Sequence, residues 1–101
     1  MTARVSPDQC QTMETLRDQI DLLDAELVSL LAERTGYIDR AIELKQVTDL
    51  PARIPHRVEE VVMQARRLAE KNGLDPDQIE TMWRQLVDWS IDREAQVIRR
   101  D

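Results

Sequence analysis

Apolar residues in the first half of the chain fall at Leu16, Ile20, Leu23, Leu27 and Leu30, and the same steps of three and four continue through Arg34, Tyr37, Ala41 and Leu44. That near-heptad spacing predicts one helix over about residues 7–47, apolar along one face except at Arg34. Ser6 is placed to cap it and Pro7 suits the first helical position. Between Pro7 and Val47 there is no further proline and a single glycine, Gly36. A helix of about 40 residues is about 60 Å long, whereas a compact monomer of this size has a radius of gyration of only ~13 Å. The rest of the chain cannot cover such a helix, so the pattern implies a partner, most simply a second copy.

The stretch from Thr48 to Pro55 reads as a connector, because Pro51 and Pro55 each disfavour helix in the residue before them. Pro55 then opens a second helix over 55–71, with Val58, Val61, Val62, Ala65 and Leu68 inward. Gly73 is the expected left-handed residue past its end. The run Asp75-Pro76-Asp77-Gln78 starts a third helix over about 76–99, with Asp75 as cap, Pro76 first and Gln78 reaching back. Its inward stripe is Ile79, Met82/Trp83, Leu86, Ser90, Glu94 and Val97. The expectation is an all-α fold of three helices, one long and two shorter, in a single domain spanning 1–101 and forming a homodimer.

Function is expected where a costly polar residue interrupts an apolar seam. Arg34 sits in the first seam, and Lys45 follows 11 residues later, roughly three turns and ~16 Å along the same face. Ser90 and Glu94 lie one turn apart in the third stripe. Two cations flanking small residues on an otherwise apolar face suit a small polyanion held between helices. The plainer alternative is a structural ion pair between Arg34 and Glu94, with Lys45 snorkelling out of the helix end. Arg17 precedes Arg34 by 17 residues, ~25 Å along one helix, so the two reach one small ligand only if they come from antiparallel copies. Arg57, in the first turn of the second helix, is a fourth candidate cation or else a solvated surface arginine.

Composition narrows the chemistry. The chain carries 14 basic and 20 acidic residues, a net charge of −6, which argues against a general role on nucleic acid. Twelve of the basic residues are arginine; this fits carboxylate or phosphate recognition, and fits codon bias equally. A lone cysteine, Cys10, cannot close an internal disulfide and agrees with the cytoplasm. One His and one Cys make no metal cluster, so no metal is expected, and no apolar run is long enough to span a membrane. His56 reads as exposed, Trp83 and Trp89 as core or dimer-interface residues, and Asp18, Asp21, Asp24, Asp39 and Asp92 as solvated helix faces.

Taken together, LRDQIDLLDAELVSLLAERTGYIDRAIELK, PHRVEEVV, EKNGLD and LVDWSIDREAQ resemble, in order and spacing, the small all-helical chorismate mutases. The SPDQC start looks like the branch that contains the isochorismate-pyruvate lyases. The resemblance implies an intertwined dimer with two sites, each built from both chains. It implies that Arg17 of one subunit and Arg34 of the other bind the carboxylates of a small dicarboxylate substrate. Lys45 would donate to the ether oxygen of the breaking bond, Arg57 would support the pocket, and Ser90 and Glu94 would contact a carboxylate and the ether oxygen. No cofactor is implied. A pericyclic rearrangement needs neither nucleophile nor base, only a folded substrate and a cation where charge develops.

Two departures from the family pattern matter. Val58 follows Arg57 where many mutases carry Glu on the ring hydroxyl, as expected if the hydroxyl lies elsewhere, as in the lyases. Glu94 stands where Gln is commonest; ionised it would repel the developing oxyanion, and protonated it could donate, so burial should favour the protonated form and activity should fall as pH rises. The leading expectation is conversion of chorismate to prephenate. The alternatives are elimination of pyruvate from isochorismate to give salicylate, and a non-catalytic helical dimer acting as an interaction module. Lys45→Ala separates enzyme from scaffold by abolishing turnover while barely affecting folding.

Overall fold

In a computed structural model, which describes residues 4–101, a short 3-10 turn (Pro7–Gln9) is followed by α1 (Met13–Thr48), α2 (Pro55–Lys71) and α3 (Pro76–Glu94). Among the described residues there is no strand. By its internal contacts the chain divides into two units, one ending at Gly36 and one spanning Tyr37–Asp101.

In the first unit, α1 begins at Met13 rather than at Pro7. Ser6 makes no capping bond with its side chain, whereas Thr12 Oγ1 accepts from the Thr15 amide at 3.1 Å, the bond that relieves an orphan first-turn N–H. The residues before it fold back along the helix. The Val5 amide donates to Gln19 Oε1 at 2.7 Å, and Arg4 pairs with Glu26. Between segment and helix lies a groove of about 490 Å³ lined by Val5, Pro7, Cys10, Leu16, Ile20 and Leu23. Further along α1 the seam is open: Leu27 is 56% and Leu30 58% exposed.

In the second unit, α1 ends through a left-handed residue. Asp49 has φ 54, and the Leu50 amide reaches back to the Lys45 carbonyl at 2.9 Å, the six-to-one bond of a Schellman ending. Asp stands where glycine is usual, a position Asp tolerates better than most residues. Gly73, φ 73, closes α2 in the same way, with the Leu74 amide on the Ala69 carbonyl at 2.8 Å. On α3, Asp75 accepts from the Asp77 amide at 3.0 Å, so the expected cap is present.

The core joins Ala52, Val87 and Ile91, with Val58, Val61, Ala95 and Ile98 packed against them; Val62, Ala65 and Ala69 are buried on α2. Some inward assignments shift within the single chain: Leu68 is exposed where Ala69 is buried, and Met82 and Val97 are exposed where Val87 and Ile91 are buried. The reason is that α3 is covered along two stripes. Val87 and Ile91 pack around Ala52 of the connector, while Ser90 and Glu94 form a second, polar stripe.

Polar bonds tie α2 to α3. Arg84 forks onto Glu59 at 3.0 and 3.1 Å and donates to Glu80 at 2.8 Å. Arg66 reaches Glu80 at 2.7 Å and Asp77 at 2.9 Å. These guanidinium bonds hold Glu59 and Glu80 below the usual carboxylate range. The third helix stops at Glu94, not near residue 99. The Arg99 and Arg100 carbonyls instead accept from the Ala52 and Arg53 amides at 2.8 and 2.7 Å. Leaving the helix lets the tail satisfy connector donors that the core would otherwise bury unpaired.

Candidate functional site

Lys45 points across the second unit onto Glu94. Its Nζ donates to Glu94 Oε1 at 2.7 Å and to the Ala52 carbonyl at 2.9 Å. The pair is shielded, with side-chain exposures of 17% for Lys45 and 5% for Glu94. Ser90, one turn before Glu94, is also buried and donates to the Leu86 carbonyl at 3.0 Å. Each element has a local reason for its place. Lys45 is three residues from the end of α1 and Glu94 is the last residue of α3, so a cation and an anion extend from helix ends beside a connector carbonyl.

The outward Lys45 of the plainer alternative is replaced by this Lys45–Glu94 pair. The reversal has a physical cause: the connector folds under Lys45 and offers a buried acceptor, so the ammonium gains two short charge-assisted bonds that water would have had to match.

Arg17 is exposed and Arg34 half-buried, both on the first unit's stretch of α1. Arg57 is exposed in the first turn of α2, in a shallow surface groove with Leu50, Pro51, Arg53, Ile54 and His56. The Ala52 carbonyl is a member of the site that sequence reading missed. Its signal was faint: a small residue between two prolines, free of the helix and therefore able to lend its backbone.

Two further ion pairs flank the central one. Asp39 takes a two-bond fork from Arg93 at 2.6 and 3.1 Å, which holds its carboxyl below the usual range and raises the Arg93 guanidinium. Asp49 accepts from Arg99 at 2.8 Å on its side chain and 3.0 Å on its carbonyl. Among the described residues no cluster of three or more His, Cys, Asp or Glu is arranged to hold a metal ion, and no helix is long and apolar enough to cross a membrane. Chemically, the central pair offers a positive charge in a shielded place beside a carboxyl that can accept or donate. That suits an oxygen on which negative charge develops.

Comparison with known proteins agrees in family. The sequence profile described as chorismate mutase type II matches residues 16–100. An isochorismate pyruvate lyase of Pseudomonas aeruginosa is 32% identical over 87 residues, covering 85% of this chain and 84% of that protein. A T-protein of Haemophilus influenzae is 38% identical over 87 residues but only 23% of its length is spanned. A 4-amino-4-deoxychorismate mutase of Streptomyces pristinaespiralis is 29% identical over 75 residues, 58% of its length. With the profile running through all three helices and past Lys45, Arg57, Ser90 and Glu94, the chain belongs to the chorismate mutase type II family of enzymes.

Proposed function

We propose that the chain rearranges chorismate to prephenate in sites shared between two copies, each copy a single domain over 1–101. The carrying observation is the shielded Lys45 ammonium, 2.7 Å from Glu94 and 2.9 Å from the Ala52 carbonyl. The ether C–O bond breaks as a C–C bond forms, with no proton moved, so catalysis reduces to holding the folded substrate and stabilising charge on the ether oxygen. Lys45 donates to that oxygen. Glu94 contacts the same oxygen. Arg17 of one copy and Arg34 of the other grip the two carboxylates by forked bonds, Arg57 supports the pocket, and Ser90 contacts a carboxylate.

The homodimer is supported by the open seam of α1. Ile20, Leu23, Leu27 and Leu30 follow one another at helical spacing and are all exposed. Covering a Leu fully is worth about 1.5–3 kcal/mol. A second copy laid antiparallel covers that seam and brings Arg17 toward the partner's Arg34. The single cysteine and the small anionic substrate suit the cytoplasm.

A second reading, elimination of pyruvate from isochorismate to give salicylate, is favoured by the 32% identity spanning 84% of the Pseudomonas aeruginosa lyase and by Val58 after Arg57. Incubation with each substrate separately decides. Loss of chorismate absorbance with prephenate formed supports the mutase; salicylate fluorescence from isochorismate alone supports the lyase; neither, with folded dimeric protein, leaves the interaction module.

A further inference from the structure

The peptide unit joining Ala52 to Arg53 is held at both edges. Its carbonyl, on Ala52, accepts from Lys45 Nζ at 2.9 Å, and its N–H, on Arg53, donates to the Arg100 carbonyl at 2.7 Å. The unit is trans, so these two groups point in opposite directions across one rigid plane. That plane cannot turn without breaking both bonds. Donation by the Arg53 N–H also polarises the amide and strengthens its carbonyl as an acceptor. The preceding amide, of Ala52, donates to the Arg99 carbonyl at 2.8 Å. Two successive connector amides are thus seated on two successive tail carbonyls, and Ala52 is buried between them and the core.

The same tail begins at the other acceptor of Lys45. Glu94 Oε1 takes the ammonium at 2.7 Å, while the Glu94 carbonyl takes the Val97 and Ile98 amides at 3.0 and 2.9 Å. Ile98 packs against the cluster of Ala52, Val87 and Ile91. Residues 94–100 therefore connect both acceptors of one ammonium, through the helix end on one side and the connector on the other. A lysine ammonium carries three N–H donors. Two fixed acceptors set both the place of Nζ and the direction of the remaining N–H. One acceptor sets only a distance, around which a flexible four-carbon side chain can swing.

Resting on the reading of Lys45 as donor to the ether oxygen, we propose that Arg99 and Arg100 are positioning residues for Lys45, acting through their main-chain carbonyls. Their side chains pair with Asp49 and Asp92, and every member of those pairs is about half-exposed or more; such pairs contribute little. Any residue supplies a carbonyl, so the tail can change its side chains and keep its effect, but it cannot be removed.

The test compares three chains with the parent. One ends at Ile98; one carries Arg99→Ala, Arg100→Ala and Asp101→Ala together; in the third, made by chemical ligation, an ester replaces the Arg53 amide. The ester deletes a single N–H and keeps every side chain. Chorismate turnover is measured on folded protein, and Lys45 is followed by its ¹⁵Nζ signal in the ligand-free chain, told from Lys71 through Lys45→Met. The shortened and ester chains should lose about ten-fold in kcat with KM changed less than about three-fold, and their Lys45 signal should shift. The triple-alanine chain should keep kcat within about three-fold of the parent, with the signal in place. Should the shortened chain fail to fold, the other two decide. A triple-alanine chain as slow as the ester chain overturns the carbonyl role. So does an ester chain with parental kcat and Lys45 signal, even if its urea midpoint falls, because the tail then only braces the fold. A parent chain inert toward chorismate overturns the functional reading instead, and the Lys45 signal still tests the clamp.

Discussion

Lys45 and Glu94 lie 49 positions apart in sequence and meet at 2.7 Å, with the Ala52 carbonyl as the third member of the contact. Removing either partner of a shielded pair strands the other, and breaking such a pair costs about 3–5 kcal/mol when the remaining charge stays buried. Lys45→Ala therefore does more than silence catalysis. It should abolish measurable turnover and also lower the urea midpoint clearly, contrary to the expectation that folding is barely touched. Adding Glu94→Gln should recover much of that stability and none of the turnover. A Lys45→Ala protein as stable as the parent would show that the pair is not formed in solution.

Glu94 offers a second test, because a carboxyl donates a hydrogen bond only in its acid form. If Glu94 is the donor, kcat/KM should fall as pH rises. Glu94→Gln, which donates at any pH, should give a flatter profile and the larger rate at the alkaline end. Superimposable profiles for parent and variant would remove Glu94 as donor.

Sharing of sites between copies is tested by mixing. Arg17→Ala and Arg34→Ala should each be inactive alone. In a mixed dimer one site carries both substitutions and the other neither, so random exchange of equal amounts should restore about a quarter of the parental activity. Replacing Leu27 by Asp should shift the chain toward monomer in sedimentation and remove activity with it. No recovery on mixing, under conditions where subunits exchange, refutes the shared site.

The backbone at Asp49 makes a stability prediction free of any functional reading. Its φ of 54 is tolerated by Asp, Asn and Gly and costs a branched residue about 1–2 kcal/mol. Asp49→Val should lower stability by about that amount, while Asp49→Gly should stay near the parent, trading the Arg99 pair for an easier turn. Urea titration measures both.

Acid should loosen the α2–α3 pair. Arg84 holds Glu59 and Glu80 below their ordinary value of 4.5, and Arg93 does the same for Asp39, ordinarily 3.8. A carboxyl whose value is lowered on folding stabilises the fold above its ordinary value, and that contribution is lost as pH falls through the lowered one. Stability should thus be level above about pH 5 and decline below about pH 4.5. Arg84→Ala should make the decline shallower, because Glu59 then loses the arginine that holds its value down and Glu80 keeps only Arg66. An unchanged slope would mean that the Arg84 bonds do not form in solution.

Much of this molecule was written locally. The proline at position 55 and the glycine at 73 bound α2 where the sequence places them, because each acts within one turn through a fixed or permitted φ. The step of three and four through Leu16 to Leu44 declared α1, and the polar breaks at Lys45, Ser90 and Glu94 marked the positions that burial makes costly. What stayed hidden depended on partners distant in the chain. Thr12 takes the cap from Ser6 because residues 4–10 are drawn back onto Gln19 and Glu26. The third helix ends at Glu94 because the tail's carbonyls are needed by Ala52 and Arg53. Lys45 turns inward because a connector carbonyl and a helix-end carboxylate are both brought to it. Periodicity reports which face of an element is buried; it carries no information on what that face meets, and a charge choosing between water and two distant acceptors is decided by that meeting alone.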